Sequence, residues 1–541
     1  PHVEIQATSG NVVFHTANQK ISGSSTSTGS FGTIQLNDRV ILDEVNNNFY
    51  FARKGDQPFG GGSANIAIGN DVLGDQGPTT GDSNIAIGDR SLRYLTSGGY
   101  NIAIGASAFN FVTDHGHNIG IGRFAGYAIK GEYNIFIGTQ AGQGGRMVSP
   151  YTDVDYNVGI GWGALQAVFN NYNTAVGYYA GKNASSGSGN TFFGSQAGEG
   201  VNSAPYATGG SNTFIGAGAG KDFTTGYQNT GVGVNALYNI TTGYQNVAVG
   251  KGALGVADDG HSNTAVGYLA MGTTATNAGN SNVAIGYKTM QDVNDGFANT
   301  YVGTLTGGSE GGVSGDYNVG VGYQADKTRV GGDYNISIGY RTNEFQGISG
   351  GQYSIAIGRE ASKHYGRIAS GTYKQMDARI AIGKYAGAYM TSGDYSTIVG
   401  NDSYKGNSSV YNATASYVTT LGAETGLYAT GSYNTFIGAQ AGKGGTTSAP
   451  FSSGKHNTAV GYLALSEFTT LSGAVAVGWE AARRATSAYA PLAIGNRALH
   501  YLTTGGYNTA VGQEAMVANT TGERNTVVGY HAGSNFRNYY S

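Results

Sequence analysis

One glycine, placed at the end of a short apolar segment, recurs along most of this chain and limits what it can fold into. It closes segments such as Asn65-Ile66-Ala67-Ile68-Gly69 and Asn508-Thr509-Ala510-Val511-Gly512. It returns at 26 positions, and 13 of the 25 intervals between them are 17 residues long. A unit this short cannot bury its own apolar face, so it must stack on its neighbours. The spacing predicts a solenoid in which each repeat forms one coil.

The residues before the glycine predict how each coil is built. The preceding residue is Ile or Val in 24 of 26 repeats, and the residue three before it is mostly Ile, Val or Thr. β-branched residues at alternating positions indicate a strand with one packed face. Ala or Gly commonly lies between them, which predicts a face with little clearance that presses on another backbone layer. The glycine is expected to supply a positive φ or a close backbone approach.

The second half of the repeat indicates a corner, a short second strand and a polar turn. A pair such as Ala253-Leu254 follows the glycine, and a turn such as Thr241-Thr242-Gly243 comes next. Helices are not expected, because no 3.6-residue apolar period survives and glycine occupies 93 positions.

Asparagine lies four residues before the glycine in 20 of 26 repeats. Parallel coils would stack these side chains in a ladder, each amide bonding the next along the axis. The predicted structural ladder includes Asn101, Asn229, Asn246, Asn263 and Asn508.

These patterns predict an all-β fold, a parallel β-roll or β-solenoid of about 26 coils with 17-residue repeats. With a strand spacing of about 4.8 Å, the rod would be roughly 125 Å long. A 17-residue coil encloses a thin interior, and its small-residue face favours several chains around a common axis. We expect an intertwined or axial homotrimer.

Composition excludes several classes of function. The formal net charge of −3 gives no electrostatic footprint for nucleic acid. Cysteine is absent, so there is no disulfide framework or thiolate metal site. No segment reaches the roughly 18 uninterrupted apolar residues of a spanning helix, so membrane insertion is not expected.

The segments Asn-Thr-Ala-Val-Gly and Asn-Ile-Ala-Ile-Gly resemble the head repeats of YadA-type trimeric autotransporter adhesins, which fold as left-handed parallel β-rolls in a trimer. The 17-residue form with Thr-Thr-Gly-Tyr turns resembles repeats of phage tail fibres and other virion proteins. The segment from Ile21 to Gly32 is also similar to phage structural proteins. The adhesins carry a coiled-coil stalk and a membrane-anchoring barrel, which residues 534–541 do not resemble. The virion fibre is therefore the first expectation.

The repeat register divides the chain into three parts. Residues 1–60 lie outside it and are expected to form a β-rich connector that mounts the rod. Residues 61–533 are the predicted β-roll fibre, and residues 534–541 a terminal cap or junction.

Aromatic residues are the first binding candidates, because rows of exposed rings suit stacking on sugar faces. The alternative is that these rings simply pack along neighbouring coils. Those directly after the repeated glycine are Trp162, Tyr178, Tyr268, Tyr287, Tyr323, Tyr340, Tyr462 and Trp479.

Inserted loops are the second binding candidates. Three similar loops follow coils that place Phe136, Phe192 or Phe436 at the normally small position. Either the loop makes or covers the space that the Phe needs, or it contacts a receptor. The loop candidates are Pro150, Tyr151, Pro205, Tyr206, Pro450 and Phe451.

Catalytic and metal chemistry have weaker support. Acidic residues fall mainly in turns, and no nucleophile–base arrangement or phosphate loop is present, so no enzymatic activity and no cofactor are expected. His115 and His117 could offer six imidazoles around a trimer axis, a weak candidate for a metal site.

The sequence thus favours a structural attachment fibre of a virion that binds or presents a receptor-binding part. The alternative is a bacterial surface adhesin or extracellular filament subunit with the same β-roll. Expected partners are two further copies of the chain, other virion or filament proteins at the N-terminal end, and a host surface glycan or protein. The expected location is the virion or an extracellular surface.

Overall fold

The structure is a computed structural model and describes most of the repeat region. The described residues are 33–36, 39–43, 48–53, 62–74, 79–144, 152–201, 207–256, 259–272, 279–292, 295–308, 315–327, 331–344, 351–363, 377–390, 393–406, 415–445 and 452–536. Throughout these ranges the regular structure is β, and no helix occurs in them. The chain folds as a parallel β-solenoid with repeats of about 17 residues, so the prediction of an all-β solenoid is confirmed.

Nearly every strand is short, and most have three residues that end just before the repeated glycine. The strands are β1 (Thr33–Leu36), β2 (Arg39–Asp43), β3 (Asn48–Arg53), β4 (Ile66–Ile68), β5 (Ile85–Ile87), β6 (Ile102–Ile104), β7 (Ile119–Ile121), β8 (Ile129–Lys130), β9 (Ile135–Ile137), β10 (Thr152–Asp153), β11 (Val158–Ile160), β12 (Thr174–Val176), β13 (Thr191–Phe193), β14 (Thr213–Ile215), β15 (Thr230–Val232), β16 (Val247–Val249), β17 (Thr264–Val266), β18 (Val283–Ile285), β19 (Thr300–Val302), β20 (Val319–Val321), β21 (Ile336–Ile338), β22 (Ile355–Ile357), β23 (Ile380–Ile382), β24 (Thr397–Val399), β25 (Thr419–Leu421), β26 (Thr435–Ile437), β27 (Thr458–Val460), β28 (Val475–Val477), β29 (Leu492–Ile494), β30 (Thr509–Val511) and β31 (Thr526–Val528).

The strands stack into one long sheet in which equivalent residues of successive coils face each other. In β16 and β17, Val247 pairs with Thr264 and Ala248 with Ala265. The same parallel register continues between neighbouring coils from β4 to β31, while β8 and β10 pair separately. At the N-terminal side, β1, β2 and β3 form an antiparallel meander, and β3 joins the first coil by pairing parallel with β4. The repeat therefore sets a constant register along the rod.

The small central residue of each strand points into the coil. Ala248 and Ala265 have no exposed surface, whereas the flanking Val247 and Val249 are each 38% exposed. The sequence pattern predicts that this small-residue face lies where several chains meet. The structure places it inside a single coil instead. Ala and Gly line the interior of a single coil, and the exposed face of the sheet carries Ile, Val and Thr. The interior is so thin that mostly Ala or Gly fits opposite the other wall.

The expected second strand is not formed in the regular coils, and this part of the prediction is wrong. The residues after the glycine form turns in which the second and fourth residues have positive φ, as in Ser107 (58°) and Phe109 (46°). Their N–H groups donate to neighbouring coils on opposite sides, Ser107 to Asp89 O at 2.7 Å and Phe109 to Ala125 O at 2.8 Å. An isolated left-handed residue costs roughly 1–2 kcal/mol. Bonds to both neighbouring coils offset that cost.

The repeated glycine meets both of its predicted requirements. Gly250 has a φ of 128°, and a Cβ added to it would lie 2.4 Å from the carbonyl oxygen of Gly267 in the next coil. Successive glycines therefore lie in direct backbone contact, so a side chain has no room there.

Large interior residues are accommodated by a glycine of the same coil. Phe136 has no exposed surface, and a Cβ on Gly142, six residues later, would be 2.3 Å from its ring. The equivalent pairs are Phe192 with Gly198, Phe214 with Gly220, Tyr301 with Gly307 and Phe436 with Gly442. The space that each aromatic ring needs is thus made by a glycine, without need of an inserted loop.

Candidate binding surfaces

The predicted Asn residues form a buried hydrogen-bonded column. Asn246 donates from its backbone N–H to the Oδ1 of Asn229 at 3.0 Å, and Asn263 donates in the same way to Asn246 at 2.9 Å. Asn101 bonds Asn84 of the neighbouring coil, and Asn508 accepts from Asn525. These side chains have almost no exposed surface, so they hold coils together and are inaccessible to a ligand.

The column is interrupted twice in the C-terminal half of the rod, at residues 354–418 and again at Ala474 and Pro491, and at the first interruption the interior also becomes polar. Arg379 replaces Asn in the column and is fully buried, and burial lowers its pKa to about 10. Its guanidinium bonds Ser362. The ammonium of the nearby buried Lys363 lies 3.1 Å from both Glu344 and Glu360. Lys363 is thus paired with two carboxylates inside the fold, and Arg379 is bonded to a buried hydroxyl, which gives this segment a structural role.

The aromatic residues after the repeated glycine are placed on one exposed corner of the rod. Their exposed fractions range from 40% for Tyr268 to 49% for Trp162 and Tyr462, with Tyr178, Tyr287, Tyr323, Tyr340 and Trp479 between them. Some also stack on each other: Tyr268 on Tyr287, and Tyr323 on Tyr340, each with ring centroids 5.4 Å apart. The row therefore combines packing along the coils with surface exposure.

A second aromatic column lies beside the Asn ladder and is missing from the sequence prediction. The rings of Tyr100, His117, Tyr133, Tyr156 and Tyr172 stack face to face at 4.9–5.2 Å, with planes within 8° of parallel. Each residue directly precedes the ladder Asn and has positive φ. The signal was present as a Tyr or His directly before the ladder Asn, but the left-handed geometry that aligns the rings is not readable from a strand pattern. Inner rings of the column have both faces covered, so they present only edges and hydroxyls.

The two His residues of the candidate metal site have different surroundings in the single chain. His117 stacks between Tyr100 and Tyr133, with centroids 5.0 and 4.9 Å away. His115 lies elsewhere, its Nδ1 3.0 Å from Asp114 and its Nε2 3.7 Å from Asp153. In the part of the chain that the structure describes, no group of three or more His, Asp or Glu residues could hold a metal ion.

Several turn carboxylates accept hydrogen bonds from the backbone of the preceding coil. Asp155 accepts from the N–H of Glu132 at 2.8 Å, and Asp316 accepts from the N–H of Phe297 at 2.8 Å. These groups therefore link coils. The loop candidates Pro150, Tyr151, Pro205, Tyr206, Pro450 and Phe451 lie outside the described residues.

A notch opens on the aromatic corner where a small residue lies between two large ones. Arg123, Thr139 and Trp162 occupy equivalent positions in three successive coils, and Phe124 and Gln140 complete the lining. The notch has a volume of about 380 Å³. Trp162 donates from Nε1 to the Oε1 of Gln140 at 3.3 Å, and the guanidinium carbon of Arg123 lies 4.7 Å from the centre of the Phe124 ring. This is a concave, partly apolar surface with several polar groups.

Comparison of the chain with protein-family models, curated proteins and solved structures finds no match. Within the described ranges, no helix has the length and hydropathy that crossing a membrane requires.

Proposed function

We propose that this chain is a structural attachment fibre of a virion, a tail fibre that binds a receptor or presents the part that does. The observation that carries the proposal is the in-register stacking of similar coils along the described repeat region. Strand pairing, the Asn column and the turn hydrogen bonds each link successive coils. A shaft bonded at three places around each coil is stiff, and it suits holding a binding surface at a distance.

The homotrimer is part of the proposal and is supported by the exposed face of the sheet. Two columns of β-branched side chains run along that face, with Val247 and Val249 each 38% and Ile285 40% exposed in the single chain. Extended exposed apolar surface of this kind marks a site of association. Three copies around one axis would bury both columns along the full rod.

Two further partners, other virion proteins and a host surface molecule, are proposed from two different parts of the chain. The antiparallel meander β1–β3 continues into the first coil through β4, which suits a connector to other virion proteins. The exposed aromatic corner suits a glycan or protein on a host surface, and the fibre would act on the virion exterior.

Light scattering on purified protein tests the assembly. We expect a mass near three times the 55.6 kDa of one chain. Val249→Lys with Ile285→Lys should reduce the mass toward one chain, because charges would enter the apolar face. Val234→Lys is the matched control, since Val234 is 46% exposed on the aromatic corner. A folded wild-type protein with the mass of one chain would refute the trimer.

Attachment itself is tested by adsorption. Fluorescently labelled fibre is mixed with a panel of bacterial cells, and bound protein is measured after washing. We expect saturable binding to some strains, blocked by excess unlabelled fibre. Absence of saturable binding to every strain would count against an attachment function.

A further inference from the structure

We infer that the notch beside Trp162 is a binding site for an acidic sugar, a pyranose ring that carries a carboxylate. The inference rests on the proposed attachment function and assigns a ligand class to one part of the aromatic corner.

The width of the notch follows from the stacking of the coils. Strands β7, β9 and β11 are direct neighbours, so the coils of Arg123 and Trp162 are two steps apart, about 10 Å. Thr139 of the middle coil has a smaller side chain than either neighbour, and it lines the notch between them. A volume of about 380 Å³ is at the small end of ligand sites. A single sugar ring matches this size better than a folded peptide segment does.

The apolar wall is an indole held in place by its neighbours. Trp162 is 49% exposed. Its ring centroid lies 5.3 Å from that of Tyr178 and 5.5 Å from that of Tyr179 in the following coil. Contacts with these two rings restrict the indole before a ligand arrives. An aromatic ring fixed in this way offers a large contact area at low conformational cost.

The opposite wall supplies a positive charge that is available to a ligand. Arg123 is exposed, and in the described part of the chain no ion pair joins it to a carboxylate. Its guanidinium carbon lies 4.7 Å from the centre of the Phe124 ring, and a guanidinium that lies over a ring keeps N–H donors in its own plane. Those donors match the two oxygens of a carboxylate. Charge complementarity therefore favours an acidic sugar over a neutral one.

The middle coil provides the remaining polar groups. Gln140 lines the notch and uses its Oε1 to accept from Trp162, so its Nε2 remains as a donor. The hydroxyl of Thr139 can donate or accept. Sugar hydroxyls need such mixed partners around a stacked ring, so the middle coil complements the two walls.

Intrinsic fluorescence gives a direct test, because the chain has only two Trp residues. In a Trp479→Phe background, Trp162 is the only indole. The probes are a glucuronate-terminated disaccharide and N-acetylneuraminic acid, each compared with its carboxyl-reduced counterpart. We expect the acids to change the emission of Trp162 and to bind more tightly than the reduced sugars. Arg123→Gln should weaken the acids by about tenfold or more and leave the reduced sugars unchanged, as for loss of one charge-assisted hydrogen bond.

Lys251→Gln is the matched control, because Lys251 occupies the position of Arg123 in another coil and the change in net charge is the same. Equal binding of acid and reduced sugar, an equal loss in Lys251→Gln, or no binding of either acid would overturn the inference. Cell adsorption separates this outcome from failure of the proposed function. A fibre that adsorbs to cells but binds neither acid keeps the attachment function and loses this site. A fibre that binds the acids but adsorbs to no cell keeps the site and loses the function.

Discussion

Asn246 lies against Asn229 of the neighbouring coil, and both its backbone N–H and its Nδ2 donate to the same Oδ1 of Asn229 at 3.0 Å. The Nδ2 also donates to Gly260 O at 2.7 Å, and the Oδ1 of Asn246 accepts from the N–H of Asn263 at 2.9 Å. The buried side chain of Asn246 thus bonds backbone groups on the following side and the side-chain amide of Asn229 in the preceding coil. Between its interruptions the column works as a hydrogen-bonded unit, and removal of one member affects both neighbours.

Asn246→Leu should therefore destabilise the rod. The substitution leaves the N–H of Asn263 and the carbonyl of Gly260 buried without this partner, which costs about 1–3 kcal/mol for each group. The expected result is a lower midpoint in urea with an unchanged slope. Asn235→Leu is the control, because Asn235 is exposed and Leu269, Leu305 and Leu463 occupy the same position in other coils. An equal shift of the urea midpoint in both variants would mean that the buried Asn column contributes no more to stability than an exposed Asn does.

Two residues of one coil, six positions apart, share the same interior space, so substitutions at the two positions should affect stability jointly. Gly142→Leu places a side chain where Phe136 lies, since even a Cβ there would be 2.3 Å from the ring. Phe136→Ala leaves a cavity and should cost about 3–5 kcal/mol. The double variant recreates the pair found at Ala248 and Leu254, so it should be more stable than the sum of the single effects predicts.

A double-mutant cycle on thermal or urea unfolding measures this coupling. We expect an interaction energy of at least about 1 kcal/mol in favour of the double variant, because the two residues share one space. Additive effects within about 0.5 kcal/mol would show that the coil relaxes independently at the two positions.

The repeated glycine offers a test that separates backbone strain from contact between coils. Gly250→Ala brings a Cβ within 2.4 Å of Gly267 O at a φ of 128°. Gly529→Ala meets nearly the same φ of 133°, but the nearest atom there is the Cβ of Ala532 at 3.5 Å, an ordinary contact. Gly250→Ala should lower the melting temperature clearly more than Gly529→Ala. Equal losses would attribute the requirement for glycine to φ alone.

The local alternation of residues predicted the strand and the close glycine contacts, but it could not say which face is inside. An alternating pattern defines two faces of a strand but does not say which of them is buried. Ala248 faces inward, and Val247 and Val249 face outward, because the opposite wall of the coil is too close for a larger side chain. A signal for the interior was present in the exchange of large and small residues six positions apart, as in Phe136 and Gly142. The second strand was predicted wrongly because alternating positive φ values leave no simple pattern when Leu, Phe and Gly all occupy them.

The candidate site was predictable only in part. The aromatic residues after the glycine were identifiable because they share a position in the repeat. The notch additionally needs Arg123, Thr139 and Trp162 to lie side by side, although they are separated by 16 and 23 residues in sequence. That neighbourhood depends on the length of each coil, including the insertion between Thr139 and Trp162, so it became visible only with the coils in register.

The stacked aromatic column predicts a loss of stability at alkaline pH. Partial desolvation between the stacked rings raises the pKa of the Tyr156 phenol, and the neighbouring phenols of Tyr133 and Tyr172 raise it further. The pKa of Tyr334 is raised for the same reasons, first by desolvation and then by the neighbouring phenols of Tyr317 and Tyr353. Above pH ~10, the ordinary pKa of Tyr, the unfolded chain releases phenol protons that the folded chain retains. Stability therefore falls as the pH rises through the pKa of the folded chain.

Melting temperatures from pH 8 to 12 should therefore fall less steeply for the Tyr156→Phe, Tyr334→Phe double variant than for the wild type. Phe keeps the stacked ring without the ionisable hydroxyl, so the two proteins should agree below pH 9. Parallel curves over the whole range would mean that these two phenols ionise alike in the folded and unfolded chains.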